Sequence, residues 1–247
     1  MKNSGYIFGI HPVLEALKAG ENIDKVFVVR DLKPDVRKEI LQLTSAGIIP
    51  VQFVPIEKIK RLVSSGNHQG VVAAVSPVAF SEIEPLVPWW FENGINPLVL
   101  VMDEVTDVRN FGALIRTAEC AGVHAVVFPQ KNSAQINAQT VKASAGAIYN
   151  VPLCRSISTK QTVDFLKKSG FKVIACSEKG AALYTDVSYD VPVALVFGSE
   201  EYGISEQILK IADEIVKIPL LGKVGSLNVS VATGVVLYEV VRQRELR

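Results

Sequence analysis

The 247-residue sequence is poor in residues that commonly bind metals or form disulfides, with three cysteines and three histidines. Cys120, Cys154 and Cys176 are widely separated and include no Cys-x-x-Cys pair, so neither a disulfide framework nor a zinc site is indicated. The sequence also lacks an apolar run long enough to span a bilayer, and no signal-peptide region follows its first residues. We therefore expect a cytoplasmic protein with reduced thiols, no metal site and no membrane anchor.

Several common catalytic motifs are absent as well. The sequence contains no Gly-x-Gly-x-x-Gly fingerprint, no Gly-x-x-x-x-Gly-Lys-Ser/Thr phosphate loop, no His-Glu-x-x-His pair and no Gly-x-Ser-x-Gly elbow. Its histidines, His11, His68 and His124, have no spacing that indicates a catalytic triad. The missing glycine fingerprint argues against an α/β oxidoreductase that binds a dinucleotide.

Acidic and basic residues are nearly balanced, but they are distributed unevenly. Residues 1–76 carry 10 Lys/Arg against 7 Asp/Glu and have the pattern of a small α/β unit, while residues 77–97 carry no basic and 3 acidic residues among four prolines. We predict an N-terminal domain of residues 1–76, a linker of residues 77–97 with a short helix, and a second domain of residues 98–247. The weak positive charge of the first domain is compatible with RNA contact, and ordinary surface charge explains it equally well.

From Leu98 onward, short apolar segments alternate with helical patterns. Strands that are apolar on both faces and separated by helices are typical of a parallel sheet covered on both sides, so the second domain is predicted to be α/β. In such sheets ligands bind beyond the carboxyl ends of the strands. The predicted strands are Leu98–Met102, Ala125–Phe128, Val151–Cys154, Lys172–Cys176, Ala194–Phe197 and Glu214–Ile218, with helices at 111–121, 137–146, 159–169, 204–211 and 227–245.

Two polar residues follow the first of these strands. Asn110 stands where it can cap the next helix, and Arg116 lies in an otherwise small and apolar part of that helix. A lone arginine at this position is either a surface residue or a clamp for an anion at the ligand edge of the sheet. Position alone favours the surface.

Two later strand ends combine glycines with polar side chains. Gly198 follows a buried strand, where the missing side chain would let a ligand approach the backbone, and Glu200 and Glu201 then stand at the carboxyl end of that strand. The last strand leads through a glycine-containing loop to Ser226, a candidate N-cap of the final helix, and to Asn228. Such a junction suits a small ligand bound mainly by backbone groups, although an ordinary strand-turn-helix connection has the same local pattern.

Three stretches together resemble the signature motifs of the SpoU (TrmH-type) RNA 2′-O-methyltransferases in order and spacing. The first residues are similar to the ribosomal-protein-like substrate-binding domain of that family, so the resemblance covers nearly the whole chain. Within the family the chain most resembles the branch that methylates a guanosine ribose of 23S rRNA. The three motif stretches are Asn110-Phe-Gly-Ala-Leu-Ile-Arg-Thr117, Leu195-Val-Phe-Gly-Ser-Glu-Glu-Tyr-Gly-Ile204, and Ile218-Pro-Leu with Ser226-Leu-Asn-Val-Ser230. The stretches that resemble the substrate-binding domain are Tyr6-Ile-Phe-Gly-Ile-His11 and His68-Gln-Gly-Val-Val72.

The resemblance implies a fold that general rules of chain topology disfavour. Chains almost never thread loops, whereas this family ties its C-terminal segment into a deep trefoil knot whose loops hold S-adenosylmethionine. The resemblance also implies RNA as partner, 23S rRNA first, and a homodimer through the knotted domain. It implies neither a metal nor a membrane.

Roles for single residues follow from the resemblance too. It implies that Arg116 stabilises negative charge developing on the ribose 2′ oxygen, which reverses its surface interpretation. A guanidinium keeps its proton to very high pH, so a substrate phosphate or a water would accept the proton instead. The implied cofactor pocket comprises Gly198, Ile218, Leu220, Ser226 and Leu227, and the residues around the reacting ribose are Asn110, Arg116, Glu200 and Asn228.

Other functions stay open at this point. A tRNA ribose is an alternative substrate, as is the rRNA site protected by antibiotic-resistance relatives. A non-catalytic RNA-binding protein could also keep this fold. Loss of Asn110 or Arg116 would have favoured that alternative, and both residues are present.

Overall fold

The computed structural model describes residues 5–46, 49–63 and 66–245. The chain divides into two compact units, which are described separately. One comprises Met1–Ala79 with Gln135–Ala138, and the other comprises Phe80–Ala134 with Gln139–Arg247.

The first unit is a four-stranded mixed sheet with helices on both faces. Residues of β2 alternate between two apolar cores, because successive side chains of a strand point to opposite faces. Val26 and Val28 pack with α1 and α2, whereas Phe27 packs with Ile59 of α3. The elements are β1 (Tyr6–Phe8), α1 (Ile10–Lys18), β2 (Ile23–Val29), α2 (Pro34–Ala46), β3 (Val51–Val54), α3 (Ile56–Leu62) and β4 (Val71–Val75), with strand order β1-β4-β2-β3.

The second unit is built on a seven-stranded parallel sheet. Its central strands are fully buried, which agrees with their apolar character on both faces. The strands are β5 (Leu98–Met102), β6 (Ala125–Pro129), β7 (Leu153–Ser156), β8 (Lys172–Cys176), β9 (Ala182–Leu183), β10 (Val193–Phe197) and β11 (Glu214–Lys217), in the order β7-β6-β5-β10-β8-β11-β9. The helices are α4 (Ile83–Glu92), α5 (Val108–Cys120), α6 (Ala138–Ala143), α7 (Thr159–Lys168), α8 (Glu206–Leu209) and α9 (Val229–Glu245).

The acidic, proline-rich segment contains α4, which packs on the core of the second unit. Ile83, Val87 and Trp90 recur at helical spacing and are buried in that core. Trp90 also contacts the ring of Phe171 edge-on, at a centroid distance of 6.4 Å. Trp89, in contrast, is 53% exposed.

The predicted α/β class and the parallel sheet of the second domain are confirmed. Two short strands, β1 and β9, were missed because three and two residues are too few for a periodic pattern. The helix predicted for 137–146 ends at Ala143, and a separate 3-10 turn follows at Ala147–Tyr149. The trefoil knot stays a prediction, since strand order does not trace the passage of one loop through another.

Candidate active site

The strand order brings the ends of four strands together at one edge of the second sheet. β10 pairs with both β5 and β8, and β8 pairs with β11, all in parallel. Their carboxyl ends therefore share one edge, where ligands of α/β proteins bind. The sequence alone predicted these strands but not their adjacency.

A cavity of about 500 Å³ opens at this carboxyl edge. Its wall consists of the segments that follow β8, β10 and β11 and of the first turns of α9. A volume of this size is typical of small-molecule sites. The lining includes all five residues predicted for the cofactor, together with Glu200 and Asn228: Gly198, Ile218, Leu220, Ser226 and Leu227.

Three of the four predicted ribose-site residues form a hydrogen-bonded chain. The Asn228 side-chain amide donates to Asn110 Oδ1 at 3.1 Å, and the Asn110 amide donates to Glu200 Oε1 at 2.7 Å. Asn110 thus joins the start of α9 to the turn after β10, although 118 and 90 residues separate it from these two partners. All three side chains are accessible, and each keeps hydrogen-bonding capacity for a ligand.

The helices that carry these residues are capped differently from the prediction. Asp107, not Asn110, is the N-cap of α5, because Asp107 Oδ1 accepts the backbone N–H groups of Arg109 and Asn110, each at 2.9 Å. Asn110 therefore lies inside the first turn, and its side chain is available to its two partners. At α9 the capping residue is Asn228, not Ser226, since Asn228 Oδ1 accepts the Ser230 N–H at 2.9 Å.

The glycine after β10 has a packing role that differs from the predicted one. A Cβ added to Gly198 would lie 2.0 Å from the carbonyl carbon of Gly203. The missing side chain therefore admits the protein's own backbone rather than a ligand. Ser199 and Gly203 exchange two backbone hydrogen bonds of 3.1 and 3.0 Å, which close a tight turn that holds Glu200 at the cavity.

Arg116, the fourth predicted ribose-site residue, lies apart from the other three. It is exposed, and no hydrogen bond or ion pair links it to another of the described residues. It follows Asn110 by six positions on α5, which corresponds to about 9 Å along the helix and about a third of a turn around it. Within one polypeptide, the structure does not bring Arg116 into hydrogen-bonding contact with Asn228, Asn110 or Glu200.

Two acidic residues hold the backbone segments of this edge in place. Sequence reasoning assigned a role to neither of them. Asp107 fixes the start of α5, as described above. Asp103 directly follows β5, is only 5% exposed, and accepts the Ser205 N–H at 2.9 Å, which fixes the segment after Glu200. The available signal was the run of acidic residues at a strand end, because a buried carboxylate needs hydrogen-bond partners.

The loop between β5 and α5 also contains local backbone strain. Glu104 in this loop has a φ of 62°, and Asn132, which follows β6, has a φ of 55°; both values lie in the left-handed region, which residues other than glycine seldom adopt. The Asn132 amide donates to Glu104 Oε1 at 2.9 Å, so each stabilises the other. Such outliers cluster at functional sites, and this one lies three residues before Asp107.

The cavity contains one thiol, that of Cys176. Burial raises the pKa of this thiol well above its ordinary value. The group is therefore neutral near pH 7 and unsuited to act as a nucleophile.

No cluster of three potential metal ligands occurs in residues 5–46, 49–63 and 66–245. Across the same ranges, no helix is both long and apolar enough to cross a membrane.

A second cavity, of about 520 Å³, lies at the opposite, amino edge of the same sheet. Arg244 on its wall donates three hydrogen bonds to backbone carbonyls, those of Asn96, Tyr189 and Val191, at 2.9, 2.9 and 2.6 Å. His124 Nδ1 accepts the Leu98 N–H at 3.1 Å. Burial and the nearby Arg244 charge lower the pKa of His124. These groups bind the protein's own backbone.

Comparison with known proteins identifies both parts of the chain. Residues 97–238 match the SpoU rRNA Methylase family, and residues 6–81 match the RNA 2′-O ribose methyltransferase substrate-binding family. Two proteins named as TrmH family tRNA/rRNA methyltransferases are similar over nearly their full length. The one from Bacillus subtilis (strain 168) is 32% identical over 97% of this chain and 96% of its own. The one from Staphylococcus haemolyticus (strain JCSC1435) is 34% identical over 96% and 95%.

Solved structures agree with this result. The AdoMet-bound rRNA methyltransferase from Sinorhizobium meliloti is 26% identical, with a TM-score of 0.59 over 96% of this chain and 87% of its own. The A. aeolicus TrmH/SpoU tRNA modifying enzyme is 32% identical, with a TM-score of 0.56 over 66% of this chain and 85% of its own. The family match spans more than half of the chain, including all nine residues predicted for the site, and so the chain belongs to the SpoU rRNA methylase family.

Proposed function

We propose that the protein transfers a methyl group from S-adenosylmethionine to a ribose 2′-hydroxyl of RNA, with a guanosine of 23S rRNA as the target. The observation that carries this proposal is the Asn228–Asn110–Glu200 chain at the mouth of a ligand-sized cavity. A ribose hydroxyl both donates and accepts hydrogen bonds, so a row of amides and a carboxylate suits it. The reaction requires RNA, because DNA lacks the reacting group.

The carboxyl-edge cavity suits S-adenosylmethionine in size and chemistry. Residues of the segments after β10 and β11 line it, and Phe197, Val216 and Val236 add apolar residues to the lining. Gly198, Ile218, Leu220, Ser226 and Leu227 would hold the cofactor. When bound, S-adenosylmethionine supplies an activated methyl group, and its presence is supported by the AdoMet-bound structure of the Sinorhizobium meliloti relative.

In this proposal the protein's main task is to position the hydroxyl. Asn110 and Asn228 each have an amide N–H left to orient the ribose, and Glu200 Oε2 has no hydrogen-bond partner among the described residues. Positioning of this kind can supply ~7–11 kcal/mol of a barrier in favourable cases. The single proton released from the 2′-hydroxyl on methylation would pass to one acceptor, which is Glu200, a substrate phosphate or a water.

Arg116 acts electrostatically in the proposed reaction. Its guanidinium is exposed and has no hydrogen bond or ion pair to another described residue. It can therefore bind a phosphate of the RNA and stabilise negative charge that develops on the ribose oxygen. This role needs the bound substrate to bring Arg116 and the reacting ribose together.

We assign RNA recognition to the first domain, residues 1–76, followed by the connecting segment 77–97 and the catalytic domain of residues 98–247. The substrate-binding match over residues 6–81 supports this division. The three free cysteines and the bacterial relatives support a place in the cytoplasm.

We further propose a homodimer that uses the outer face of α9. Val231 and Tyr238 lie seven residues apart on one face of this helix and are 52% and 53% exposed. Seven residues make about two turns, so both side chains lie on one stripe that a second copy can cover. Light scattering should give twice the 26.8 kDa mass of one chain. A single-chain mass at micromolar concentration would contradict the dimer.

The proposed reaction is tested by cofactor binding and by mapping of methylation sites. Isothermal titration should detect S-adenosylmethionine binding without added metal. Ribosomal and transfer RNA from cells with and without the gene should differ at one 2′-O-methylated guanosine of 23S rRNA. A difference confined to tRNA would support the alternative substrate. S-adenosylmethionine binding without a methylation difference would favour a non-catalytic RNA-binding protein.

A further inference from the structure

Tyr202 is a large aromatic side chain that the packing of the fold does not explain. It lines the carboxyl-edge cavity, yet 77% of its surface is exposed. None of the ring contacts among the described residues involves it. A hydrogen bond to Glu201 raises the pKa of the Tyr202 phenol, so the ring is neutral near pH 7.

The turn that carries Tyr202 is closed by hydrogen bonds. The Tyr202 N–H donates to Ser199 Oγ at 3.0 Å, within the turn closed by Ser199 and Gly203. Gly203 has a φ of 68°, and its backbone fills the space that a Gly198 side chain would occupy. The ring is therefore exposed on a turn whose backbone is tied by hydrogen bonds, an arrangement that reduces the entropy lost when a ligand binds.

The same turn holds Glu200 against Asn110, so the aromatic ring and the ribose site are structurally coupled. Two residues along a chain span at most ~7 Å between Cα atoms. A base attached to the methylated ribose, or to the next nucleotide, is therefore within reach of the ring. Sequence-specific RNA recognition commonly uses such unstacked bases, which stack on aromatic side chains.

We propose that Tyr202 is a stacking platform for an unpaired nucleobase within one nucleotide of the methylated ribose. The inference rests on the proposed methyl transfer. It adds Tyr202 as the side chain that selects RNA with an unpaired base next to the methylated ribose. Tyr202 does not touch the reacting atoms. It orients the nucleotide whose hydroxyl Asn110, Glu200 and Asn228 bind.

The test compares Tyr202→Ala, Tyr202→Phe and Tyr202→Trp by initial methylation rates against the concentration of unmodified rRNA transcripts. Base–aromatic stacking is worth ~1–3 kcal/mol per base, so Tyr202→Ala should raise KM for RNA roughly 5- to 150-fold. Tyr202→Phe and Tyr202→Trp keep a ring and should stay within about threefold of wild type, below the range expected for loss of stacking. Tyr149→Ala removes another exposed tyrosine, which is 60% exposed and outside the cavity lining, and should change nothing.

Titration with S-adenosylmethionine and light scattering on the same samples separate the alternatives. The proposal expects unchanged cofactor affinity, mass and melting temperature for Tyr202→Ala. An RNA KM within twofold of wild type would overturn it, as would equal damage by Tyr202→Phe, which would assign the effect to the hydroxyl. A change of mass would assign the ring to contact with a second copy. If wild type itself binds no S-adenosylmethionine and methylates no RNA, the proposed function fails first.

Discussion

The two cavities of the second unit differ little in size but much in how their polar groups are used. At the amino edge, the Arg244 guanidinium and the His124 imidazole bind backbone groups of their own chain. At the carboxyl edge, Asn110, Glu200 and Asn228 bind one another and keep donors and acceptors accessible. Volume therefore does not identify the site. The site is identified instead by the hydrogen-bonding capacity that the fold leaves unused.

The comparison is also one of chain connectivity. The carboxyl-edge site is assembled from segments that follow four neighbouring strands, β5, β10, β8 and β11, so its residues are far apart in sequence. The amino-edge contacts are also long-range, since Arg244 on α9 binds carbonyls 148, 55 and 53 residues away, but they all go to the protein's own backbone before β5 and β10. We therefore expect substitutions at the carboxyl edge to change activity, and substitutions at the amino edge to change stability.

The largest expected effect comes from Arg116→Ala. If the guanidinium stabilises charge that appears only in the transition state, kcat should fall ~10²–10³-fold, the typical loss for one electrostatic donor. Cofactor affinity should stay nearly unchanged. Melting temperature should also stay unchanged, because Arg116 is exposed and bonds to none of the described residues. Initial rates at saturating substrates, with melting curves of the same samples, check this.

Arg116→Lys is the matched control. A compact ammonium keeps the charge but not the planar fork of donors, so it should restore only part of the rate. Activity of Arg116→Ala within about threefold of wild type, well short of the expected electrostatic loss, would return Arg116 to the surface interpretation. A lower melting temperature would instead indicate a structural role.

The contrast between local and long-range information explains what could be predicted from the sequence. Buried strands such as Leu98–Met102 were predicted from apolar character alone, because both faces are covered. The caps at Asp107 and Asn228 were assigned three and two residues away, since aspartate, asparagine and serine all cap helices and only the backbone geometry distinguishes them.

Long-range features were inaccessible to pattern reasoning. The pairing of β10 with β5 and β8 decides that Glu200 meets Asn110, and no local periodicity encodes it. Position 198 needs glycine because the backbone of Gly203 occupies the space that a side chain would fill. A hydrogen-bonded turn brings that backbone close. The family resemblance grouped Asn110, Glu200 and Asn228, and hydrogen bonds do bring these three together, because the motifs carry this long-range geometry with them. Their roles in the reaction stay predictions.

A smaller effect is expected at the amino edge from Arg244→Met. The substitution removes three hydrogen bonds to carbonyls and keeps much of the apolar stem. Water can replace part of the loss, so we expect the free energy of unfolding to fall by about 2 kcal/mol and Tm by roughly 4–8 °C. Urea unfolding and melting curves measure this.

Activity separates this edge from the other one. Well below the melting temperature, kcat and cofactor affinity of Arg244→Met should equal those of wild type. Arg244→Lys should be intermediate in stability, because one ammonium cannot reach three carbonyls in the same geometry. Loss of activity in a folded, stable Arg244→Met protein would break the division between the two edges.

The smallest expected effect is a pH dependence of stability from His124. Burial and the Arg244 charge lower the pKa of His124 in the folded chain below its unfolded value of about 6.5. Above that pH the imidazole is neutral in both states and contributes no slope. As the pH falls below about 6.5, the unfolded chain takes up a proton that the folded chain resists, so this group lowers stability on acidification.

His124→Asn tests this sign. Its amide oxygen can accept the Leu98 N–H that His124 Nδ1 accepts at 3.1 Å, but it does not titrate. Urea unfolding between pH 5 and 8 should therefore give a flatter decline for His124→Asn than for wild type, with a difference of no more than one proton per molecule. His68→Asn, in the first unit, is the control for loss of any histidine. Parallel pH profiles for wild type and His124→Asn would contradict this prediction. They would show that the amino edge tolerates the protonated His124 ring, and the stability of that edge would then be assigned to Arg244 alone.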